Sequence, residues 1–594
     1  MASLPTSAVL GALLSLIIYI AYRKCRPHPI PGIPYNEDSA NRLLGDLPRV
    51  KQYARETGEK LSWFALEAQK MGTPIFQVFI KPLSKPWVVV TDSRESYDIL
   101  LRRTKEFDRS DTFGNIFRGL VPDHHISMKS TNPEFKGHRR LIQDLMTPQF
   151  LNEVSAPRLY ASFSALFDLW TEKARLAQGR PFVAGDDFFA AALDAIWGVT
   201  FPQDLKDGII HARLQLLRSL ERLPTGSFTD NDDDAVPFPE PPMPAAQDAI
   251  LTLTDSLEKT LIAPIPALSF KLLSMTKAMR DARAVKEEMI ASELARGKAR
   301  LVEQANGEQP ATRCAMDDIL RREIAAAQKQ NREPDYDTRT MYDELFGLLV
   351  AGHDTTSTTA TWGLKFLSDH QEVQTKLRSA LHANFSTALR ENRRPTADEI
   401  AKTHIPYLDA TQEEIIRKSN TGSAISRTTT TDVVLLGHHI PKGTTVFLMG
   451  NGPDFHAPPV GSIAEHERSE SCQKAKGRVG VWDPSDSHLF KPERWLTTDP
   501  DTGKEVFDST AGPFLTFGLG PRGCFGRRMA YMELKIVFVL LLWDFELRVL
   551  PEKVNSYAAV DKLTHQPRQC YLRLRSLREA ASSTTTTKTA PGDC

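Results

Sequence analysis

The chain has 594 residues, which is long enough to bury a large hydrophobic core in more than one domain. Lysine plus arginine and aspartate plus glutamate both number 74, so the net charge is zero and lacks the basic excess expected of a nucleic-acid-binding protein. The six cysteines show no paired spacing, which argues against a disulfide scaffold and indicates a reducing compartment.

The N-terminal stretch 2–22 has no charged side chain and is just long enough to span a bilayer as a helix. Arg23, Lys24 and Arg26 follow it directly, so the positive-inside rule places the N-terminus in a lumen and the rest of the chain in the cytosol. A cleaved signal peptide is the alternative, but a basic leader and a small-residue cleavage site are both missing. We therefore expect an uncleaved transmembrane anchor over 2–22, followed by a proline-rich, semi-rigid hinge over 23–35.

The following residues, 36–575, predict one mainly helical domain with small β-sheets. Extended apolar runs at 75–80 and 87–91 predict a small sheet near its start. A loop is predicted between 109 and 130, and a helix is predicted from 135 to about residue 151.

Two stretches of this domain have the composition of solvated insertions. The first, 225–245, is rich in aspartate and proline, and the second, 462–478, is highly charged, so we expect both to loop out. Between them the run 250–275 is unusually apolar, which favours either core or a contact with a bilayer surface. The Ser/Thr-rich tail 576–594 is expected to be disordered.

A long helix is predicted over 340–370, and its middle carries two small residues followed by an acid and an alcohol. Ala351 and Gly352 make the helix thin, so that a wide ligand can lie against it. Asp354 and Thr355 follow an apolar turn that is expected to be buried, although a polar stripe facing solvent is the alternative. An acid and a hydroxyl in a buried helix favour the delivery of protons to a bound ligand.

A glycine-rich turn near the C-terminus carries Cys524 between an extended apolar run, 514–517, and a helix predicted from Arg527 to about residue 543. Glycines allow backbone conformations closed to other residues and let a flat ligand approach closely. A cysteine just before a helix lies where the helix dipole favours thiolate, the metal-binding form. The turn therefore predicts a one-cysteine metal or haem loop.

The same turn also satisfies the glycine pattern of dinucleotide-binding proteins at Gly518, Gly520 and Gly523, with Asp544 about 20 residues further on. Pro521 argues against this interpretation because it removes a backbone N–H from the loop that would cradle a pyrophosphate. A second series of parallel strands and helices after Asp544 is also missing, since only about 50 residues remain.

Taken in order, four motifs resemble those of the cytochrome P-450 family of haem-thiolate monooxygenases, over about residues 30 to 575. The cysteine turn resembles the haem-binding loop of the family, and 351–356 resembles its oxygen-activation motif. The Glu414 and Arg417 pair and the segment 492–494 resemble its Glu-x-x-Arg motif and the partner of that motif. The resemblance implies a mainly α fold with small β-sheets, in which a long central helix lies over a haem and the cysteine loop lies beneath it.

The resemblance also implies roles for individual residues. It assigns catalysis to Asp354 and Thr355, and axial ligation of the haem iron to Cys524. The other residues implied in haem binding are Phe517, Gly520, Arg522, Gly526, Arg139 and Arg427. A structural ion triad is implied for Glu414, Arg417 and Arg494. The residues implied in substrate contact are Phe117, Val350, Ala351 and Ile425.

The helix that precedes residue 151 departs from the family pattern at one position. Where the family often has tryptophan, four residues before Arg139, this chain has Phe135, which keeps an apolar contact but lacks the indole N–H. Basic residues are expected to make the cysteine side of the domain suitable for docking an acidic flavoprotein reductase: Arg139, Arg140, Arg527, Arg528 and Lys535.

The function implied by the resemblance is that of an oxidoreductase that inserts one oxygen atom of O2 into a lipophilic small molecule. The reaction would be hydroxylation or epoxidation, within the biosynthesis of a secondary metabolite. The implied cofactor is haem b (iron protoporphyrin IX), the co-substrate is O2, and electrons from NADPH would arrive through a separate reductase. The implied location is the endoplasmic reticulum membrane of a fungal cell, with a lumenal N-terminus and a cytosolic catalytic domain.

Two alternatives share this fold. A haem-thiolate isomerase or dehydratase that acts on peroxides without O2 has no need of an acid–alcohol pair, and the pair is present here. A non-enzymatic, membrane-tethered haem binder has no need of a substrate cavity, and the hydrophobic segment near 113–121 and the thin central helix favour one.

Overall fold

The structure is a computed structural model of the chain. It describes the residues 15–16, 19, 22–81, 83–202, 205–224, 226–261, 263, 265–305 and 314–578. The anchor predicted over 2–22 and the disordered tail predicted over 576–594 lie largely outside these residues. Among the described residues, no helix is both long and apolar enough to cross a membrane.

The described residues are mainly helical. Their α-helices are, in chain order, α1 (Glu37–Ala40), α2 (Leu47–Thr57), α3 (Ser62–Met71), α4 (Ser93–Leu101), α5 (Asp111–Phe117), α6 (Pro133–Leu141), α7 (Pro148–Phe150), α8 (Ala156–Ala177), α9 (Gly185–Thr200), α10 (Ile209–Arg218), α11 (Ala245–Leu261), α12 (Pro266–Ser274), α13 (Lys277–Ala305), α14 (Ala315–Lys329), α15 (Arg339–Asp369), α16 (Gln371–Asn384), α17 (Ser386–Arg390), α18 (Ala397–Lys402), α19 (Pro406–Ser419), α20 (Glu470–Lys474) and α21 (Arg527–Asp544). The predicted central helix is α15, and the helix predicted after the cysteine turn is α21, so both predictions are confirmed.

The β-strands are short and form small sheets. They are, in chain order, β1 (Ile75–Val78), β2 (Trp87–Val90), β3 (Phe107–Arg109), β4 (Phe182–Val183), β5 (Ala424–Thr429), β6 (Val433–Leu435), β7 (His438–Ile440), β8 (Thr445–Met449), β9 (Leu496–Thr498), β10 (Glu505–Phe507), β11 (Phe545–Leu547), β12 (Ala559–Asp561), β13 (His565–Pro567), β14 (Tyr571–Leu572) and β15 (Leu574–Ser576). One sheet has five strands in the order β1-β2-β8-β5-β3, and the others pair as β4–β14, β6–β7, β9–β10, β11–β15 and β12–β13. The predicted mainly helical fold with small sheets is confirmed.

The chain divides into two compact units. Unit 1 comprises the residues up to Thr112, Gly422–Leu489 and Gly512–Arg522. Unit 2 comprises Phe113–Thr421, Phe490–Ala511 and the residues from Gly523 onward.

Unit 1 is built on the five-stranded sheet, which has an apolar cluster on each face. Because successive strand residues point to opposite faces, Val88 and Val90 of β2 join one cluster and Val89 joins the other. Burial on both faces explains why this strand is a continuous apolar run. β1 and β2 pair antiparallel with Ile75 opposite Val90, which confirms the predicted pair of strands.

The end of the proline-rich, semi-rigid hinge predicted over 23–35 packs into unit 1. Ile30 and Ile33 are buried in the core of the unit. The buried side-chain amide of Gln77 donates to the carbonyl oxygens of both residues, at 2.9 and 2.8 Å, and accepts the N–H of Ile30 at 2.8 Å. This part of the segment is docked because the two isoleucines between the prolines gain by burial.

The predicted insertion 462–478 packs against α4 and does not loop out. It contains α20, and the side chain of Cys472 is buried. Arg468 makes two hydrogen bonds to the carboxylate of Asp92, at 2.6 and 2.8 Å, and Ser471 donates to Asp98 at 2.9 Å. The prediction is wrong because matched charges and solvated charges give the same composition.

Three further predictions in unit 2 or at its start are corrected. The predicted loop 109–130 contains α5, and the helix predicted to run from 135 to 151 breaks after Leu141. It resumes at Pro148, which has no N–H to donate and favours extended backbone at the preceding residue. The predicted insertion 225–245 is partly packed, since Val236 is buried and its N–H donates to the carbonyl of residue 181 at 2.8 Å.

Candidate functional site

The middle of α15 has an open face in an otherwise enclosed helix. Every residue from 341 to 368 is buried or half-buried except Ala351 and Thr355, which are exposed and lie one turn apart. The half-buried Leu348 and Gly352 flank them on the same face. This face therefore borders open space that a ligand can fill.

The small residues and the hydroxyl of this face have separate tasks. A Cβ at Gly352 would lie 2.4 Å from the side chain of Ile196, so this glycine allows the close packing of α9. The small side chain of Ala351 leaves room above the open face. The hydroxyl of Thr355 donates to the carbonyl oxygen of Ala351 at 2.8 Å, a bond to the preceding turn that is common for threonine in mid-helix.

Asp354 points to different surroundings from its neighbour Thr355. Its side chain is buried, with one carboxylate oxygen 2.9 Å from the hydroxyl of Thr564 and the other 3.0 Å from the amide nitrogen of Gln566. Burial raises the pKa of Asp354, while the positive charge of His353 and the hydrogen bond from Thr564 oppose the rise. The predicted acid is thus bonded to the β12–β13 hairpin, whereas the predicted alcohol lies on the open face.

Cys524 lies two residues before Gly526, which caps the N-terminus of α21. The cysteine is exposed at the surface, and desolvation by the surrounding protein raises the pKa of its thiol. The backbone N–H groups of Gly526 and Arg527 and the guanidinium of Arg139 oppose that rise. A metal ion would complete the loss of the proton, because a coordinating thiol is deprotonated outright.

The glycines of the cysteine turn have two different tasks. Gly518 and Gly520 have φ angles of 61° and 66°, and a Cβ at Gly520 would lie 2.2 Å from the carbonyl oxygen of Leu100. Glycine is therefore required at position 520 for packing against α4. A Cβ at Gly526 would meet no atom within 4 Å, so the space beside it is open, as a flat group bound next to Cys524 requires.

Unit 1 carries the other residues predicted to bind haem, namely Phe517, Gly520, Arg522 and Arg427. Arg427 lies directly opposite Arg109 in the β3–β5 pair. Burial lowers the pKa of Arg109 far below its usual value, and the positive charges of Arg522 and Arg427 lower it further. The carboxylate of Asp108 acts in the opposite direction. Positive charge therefore gathers at Arg109, Arg427 and Arg522, which suits an anionic ligand.

Arg109 was not predicted as a site residue. It becomes a neighbour of Arg427 through the pairing of strands more than 300 residues apart, which no local pattern reports. Phe517, by contrast, lies in the predicted turn and packs edge-on against Phe514, with 6.1 Å between ring centres.

Arg139 lies on α6 of unit 2, beside the cysteine turn. Its guanidinium is 5.0 Å from the centre of the Phe525 ring. Burial lowers its pKa, and the charges of Cys524 and Glu344 act in the opposite direction. Phe135, at the position where the family often has tryptophan, is buried, and its ring lies beside the imidazole of His125.

Glu414, Arg417 and Arg494 form an ion triad in unit 2. Arg417 donates to both oxygens of Glu414, at 2.7 and 2.8 Å, and Arg494 donates to one of them at 3.1 Å. The indole N–H of Trp495 donates to the other oxygen at 2.9 Å. Burial opposes the charge of Glu414, but the two arginines outweigh it and lower the pKa of this carboxyl.

The buried carboxylate of Glu344 in unit 2 was not predicted as a site residue. Glu344 of α15 lies 2.8 Å from Nδ1 of His125, 3.1 Å from Nδ1 of His138 and 3.4 Å from Nε2 of His124. This cluster favours hydrogen bonding over metal coordination, because Nδ1 of His124 accepts the N–H of Ile126 at 3.1 Å and its proton is therefore on Nε2. The adjacent histidines at 124 and 125 are the only hint in the sequence.

The residues predicted to contact substrate have different surroundings. Ala351 is exposed there. Phe117 and Val350 are buried, with 7% and 6% of their surface exposed. Ile425 lies in the sheet of unit 1 and packs against the core of that unit.

The predicted basic surface is smaller than the sequence suggested. Lys535 is buried and donates to the carbonyl oxygen of Thr403 at 2.6 Å, so it adds no charge to the surface. Arg140, Arg527 and Arg528 are exposed.

A cysteine ahead of a helix N-terminus, a central helix with an open face that bears a hydroxyl, and a group of arginines whose charges repel one another are features of a haem-thiolate protein. The model of the family described as Cytochrome P-450 matches residues 43–452 and 481–571. The chain therefore belongs to the cytochrome P-450 family, whose members are oxidoreductases that use haem b, O2 and electrons from NADPH delivered by a reductase.

Known proteins are similar over almost the whole chain. The cytochrome P-450 monooxygenase TRI13 of Fusarium sporotrichioides is 37% identical over 580 residues, which cover 95% of this chain and 98% of that protein. The cytochrome P-450 monooxygenase GME11363 of Pestalotiopsis microspora is 35% identical, with 97% and 99% covered. A crystal structure of the haem domain of a mutant cytochrome P-450DA has a TM-score of 0.63 at 18% identity, with 93% and 98% covered, and shows the shared fold.

Proposed function

We propose that this chain is a monooxygenase that inserts one oxygen atom of O2 into a lipophilic small molecule, by hydroxylation or epoxidation. The observation that carries the proposal is the open face of α15, where Ala351 and Thr355 are exposed in an otherwise enclosed helix. A helix with only a structural role would bury this face, because burying apolar surface stabilises the fold.

The residues present fit a haem. Cys524 would hold its iron, and a thiolate ligand supplies the electron density that favours O–O cleavage. The positive charges of Arg109, Arg427 and Arg522 in unit 1 would suit carboxylates such as haem propionates, and Arg139 of unit 2 is a further cation beside Cys524. Gly526 leaves open the space that a flat ring needs.

Thr355 would donate a hydrogen bond to a bound ligand, and Asp354 would supply protons. The Thr355 hydroxyl now donates to its own helix at 2.8 Å and can turn to donate to a small polar ligand on the open face. Asp354 takes up a proton more readily than an ordinary carboxyl because burial raises its pKa. A buried acid with a raised pKa suits the supply of protons to a bound ligand.

The substrate is proposed to be apolar, such as a terpenoid, polyketide, steroid or fatty acid. Leu348 and Ala351 on the open face are apolar. The similar proteins named above come from fungi, which supports a role in fungal secondary metabolism.

The two alternatives are disfavoured by particular side chains. An isomerase or dehydratase acting on peroxides needs no proton supply, whereas the presence of Asp354 beside Thr355 is consistent with a proton supply. A haem binder without activity needs no open face on α15, and Thr355 is exposed there.

We also propose a single-pass protein of the endoplasmic reticulum membrane, with the anchor at 2–22 and a cytosolic catalytic domain. The apolar run 250–275 supports lipid contact, because four large apolar side chains near α12 are more than half exposed: Ile265, Leu268, Leu272 and Met275. The exposed Arg140, Arg527 and Arg528 support docking of an acidic NADPH-dependent flavoprotein reductase.

Turnover in labelled oxygen tests the proposal. The holoenzyme, an NADPH-dependent reductase and a panel of terpenoids, polyketides, steroids and fatty acids are incubated under ¹⁸O₂, and products are analysed by mass spectrometry. We expect a product with one labelled oxygen that forms only with NADPH, and Thr355→Ala should lower its yield. Conversion of a peroxide without NADPH would favour an isomerase, and spectral binding of ligands without any product would favour a haem binder.

A further inference from the structure

We infer that Thr564 and Gln566 of the C-terminal hairpin are positioning residues that hold the Asp354 carboxylate and join it to a solvent-facing recess, from which it recovers its protons. The inference rests on the proposed function, in which Asp354 supplies protons for oxygen chemistry.

The carboxylate of Asp354 is held at both oxygens. Thr564 donates to Oδ2 at 2.9 Å, and the side-chain amide of Gln566 donates to Oδ1 at 3.0 Å. Because the single hydroxyl proton of Thr564 goes to Asp354, its oxygen accepts from the hydroxyl of Thr358 at 2.8 Å and from Gln566 at 3.1 Å. This directed network fixes one orientation of the carboxylate, which a single hydrogen bond would not do.

The hairpin that carries these donors is firmly docked on α15. The indole N–H of Trp362 donates to the carbonyl oxygen of His565 at 2.8 Å, and their rings stack with an angle of 13° between the planes. Gln566 lies in β13, and Thr564 directly precedes that strand. The docked hairpin therefore places both donors.

Gln566 also connects Asp354 to solvent. Its side chain lines an open recess of about 590 Å³ that also borders Asp186, Lys562 and Arg568. Thr355, the next residue after Asp354, lies on the open face of α15. The carboxylate is therefore separated from the recess by the side chain of Gln566, to which it is hydrogen-bonded, while the next residue along the helix lies on the open face.

This placement gives a balanced proton path. When Asp354 gives its proton to a ligand on the open face, its carboxylate is left charged, and a hydronium ion that enters from the recess returns one proton and becomes water, so that the side chain ends as it began. The charged groups that act on this carboxylate are His353, Lys562 and Asp255, and Glu258 in turn senses its charge.

The test uses matched pairs of variants in the holoenzyme with an NADPH-dependent reductase and farnesol as the apolar probe. Thr564→Val keeps the shape and removes the hydroxyl, and Thr564→Ser restores it. Gln566→Ala removes the amide, and Gln569→Ala is its control, because Gln569 lines the same recess without a hydrogen bond to Asp354. The carbon monoxide difference spectrum reports whether each variant keeps its haem-thiolate site.

Three quantities are measured: oxygen consumption, the fraction of NADPH recovered as hydrogen peroxide, and the solvent deuterium isotope effect on oxygen consumption. In Thr564→Val and Gln566→Ala we expect oxygen consumption to fall about tenfold, with a larger peroxide fraction and a larger isotope effect. Thr564→Ser and Gln569→Ala should behave like the wild type. A purely structural role would change the spectrum or the amount of holoenzyme and leave the isotope effect unchanged.

The outcomes separate this inference from the proposed function. Wild-type peroxide fractions and isotope effects in Gln566→Ala and Thr564→Val, with normal spectra, would overturn the inference alone. An equal change in Gln569→Ala would also overturn it, because the effect would then belong to the recess as a whole. If Thr564→Val loses its haem, Gln566→Ala decides the question. A wild-type holoenzyme that consumes no oxygen with NADPH and reductase would overturn both.

Discussion

Two groups of arginines show two ways in which this chain treats buried positive charge. In unit 2, Arg417 and Arg494 donate directly to the buried carboxylate of Glu414, and the charges stabilise one another. In unit 1, the charges of Arg427 and Arg522 lower the pKa of Arg109, so these charges repel one another. The first group holds the fold together by itself. We propose that an anionic ligand stabilises the second group, which would make it part of a binding site, unlike the triad.

The largest effect is expected when the triad is broken. Glu414→Gln leaves two buried guanidiniums without their carboxylate and should lower the free energy of unfolding by about 3–5 kcal/mol. Denaturant unfolding of the holoprotein measures this loss. The control is Asp398→Asn, whose exposed ion pair with Lys402 should cost about 0.5 kcal/mol. Equal losses in the two variants would contradict a structural role for the triad.

Glu533 extends the comparison to a buried carboxyl whose neutral form is favoured by burial. Burial raises its pKa from 4.5 to about 8, against a hydrogen bond with Thr356. A raised pKa in the folded state contributes stability that is complete below the unfolded value and is lost as the pH rises through about 8. The variant Glu533→Gln escapes this loss, so its advantage over the wild type should grow by on the order of 3 kcal/mol between acidic and alkaline pH.

Unfolding of both proteins at about pH 5 and about pH 8.5 measures this difference, since these values lie on either side of most of the titration. A difference between the two proteins that stays constant with pH would show that Glu533 is ionised throughout.

Removing an arginine from the cluster of unit 1 should weaken ligand binding and spare stability, whereas breaking the triad should lower stability. Arg427→Leu should weaken haem retention about 10- to 100-fold, because a hydrogen bond to a charged group contributes about 1.5–3 kcal/mol. The haem-free protein should be no less stable, because Arg109 loses a repelling neighbour. Haem transfer to an acceptor protein and unfolding of the apoprotein measure the two effects. Arg94→Leu, whose partner is Glu465, should keep its haem.

The smallest effect is expected at exposed arginines that belong to neither group. Arg140→Ala and Arg528→Ala should each slow electron transfer from the reductase by about threefold at low salt, because steering by surface charge is screened by ions. Stopped-flow reduction across an ionic-strength series measures this, with the carbon monoxide spectrum as the control. Rates equal to the wild type at every ionic strength would remove these residues from the docking surface.

Local patterns predicted the central helix and the cysteine turn, because helical periodicity and a run of glycines before a helix are both written within a few residues. The residues that complete the site were missed where the chain brings distant segments together. Arg109 meets Arg427 through a strand pair, and Thr564 and Gln566 meet Asp354 through a hairpin more than 200 residues away. The insertion 462–478 was predicted wrongly because composition does not report whether a charge has a partner.

The haem-thiolate assignment of Cys524 is tested most directly by the carbon monoxide difference spectrum of the reduced protein, recorded beside the variant Cys524→Ser. We expect a thiolate-type band in the wild type and its loss in the variant, since serine cannot supply the sulfur ligand. A band of the same type that survives the substitution would contradict the central claim.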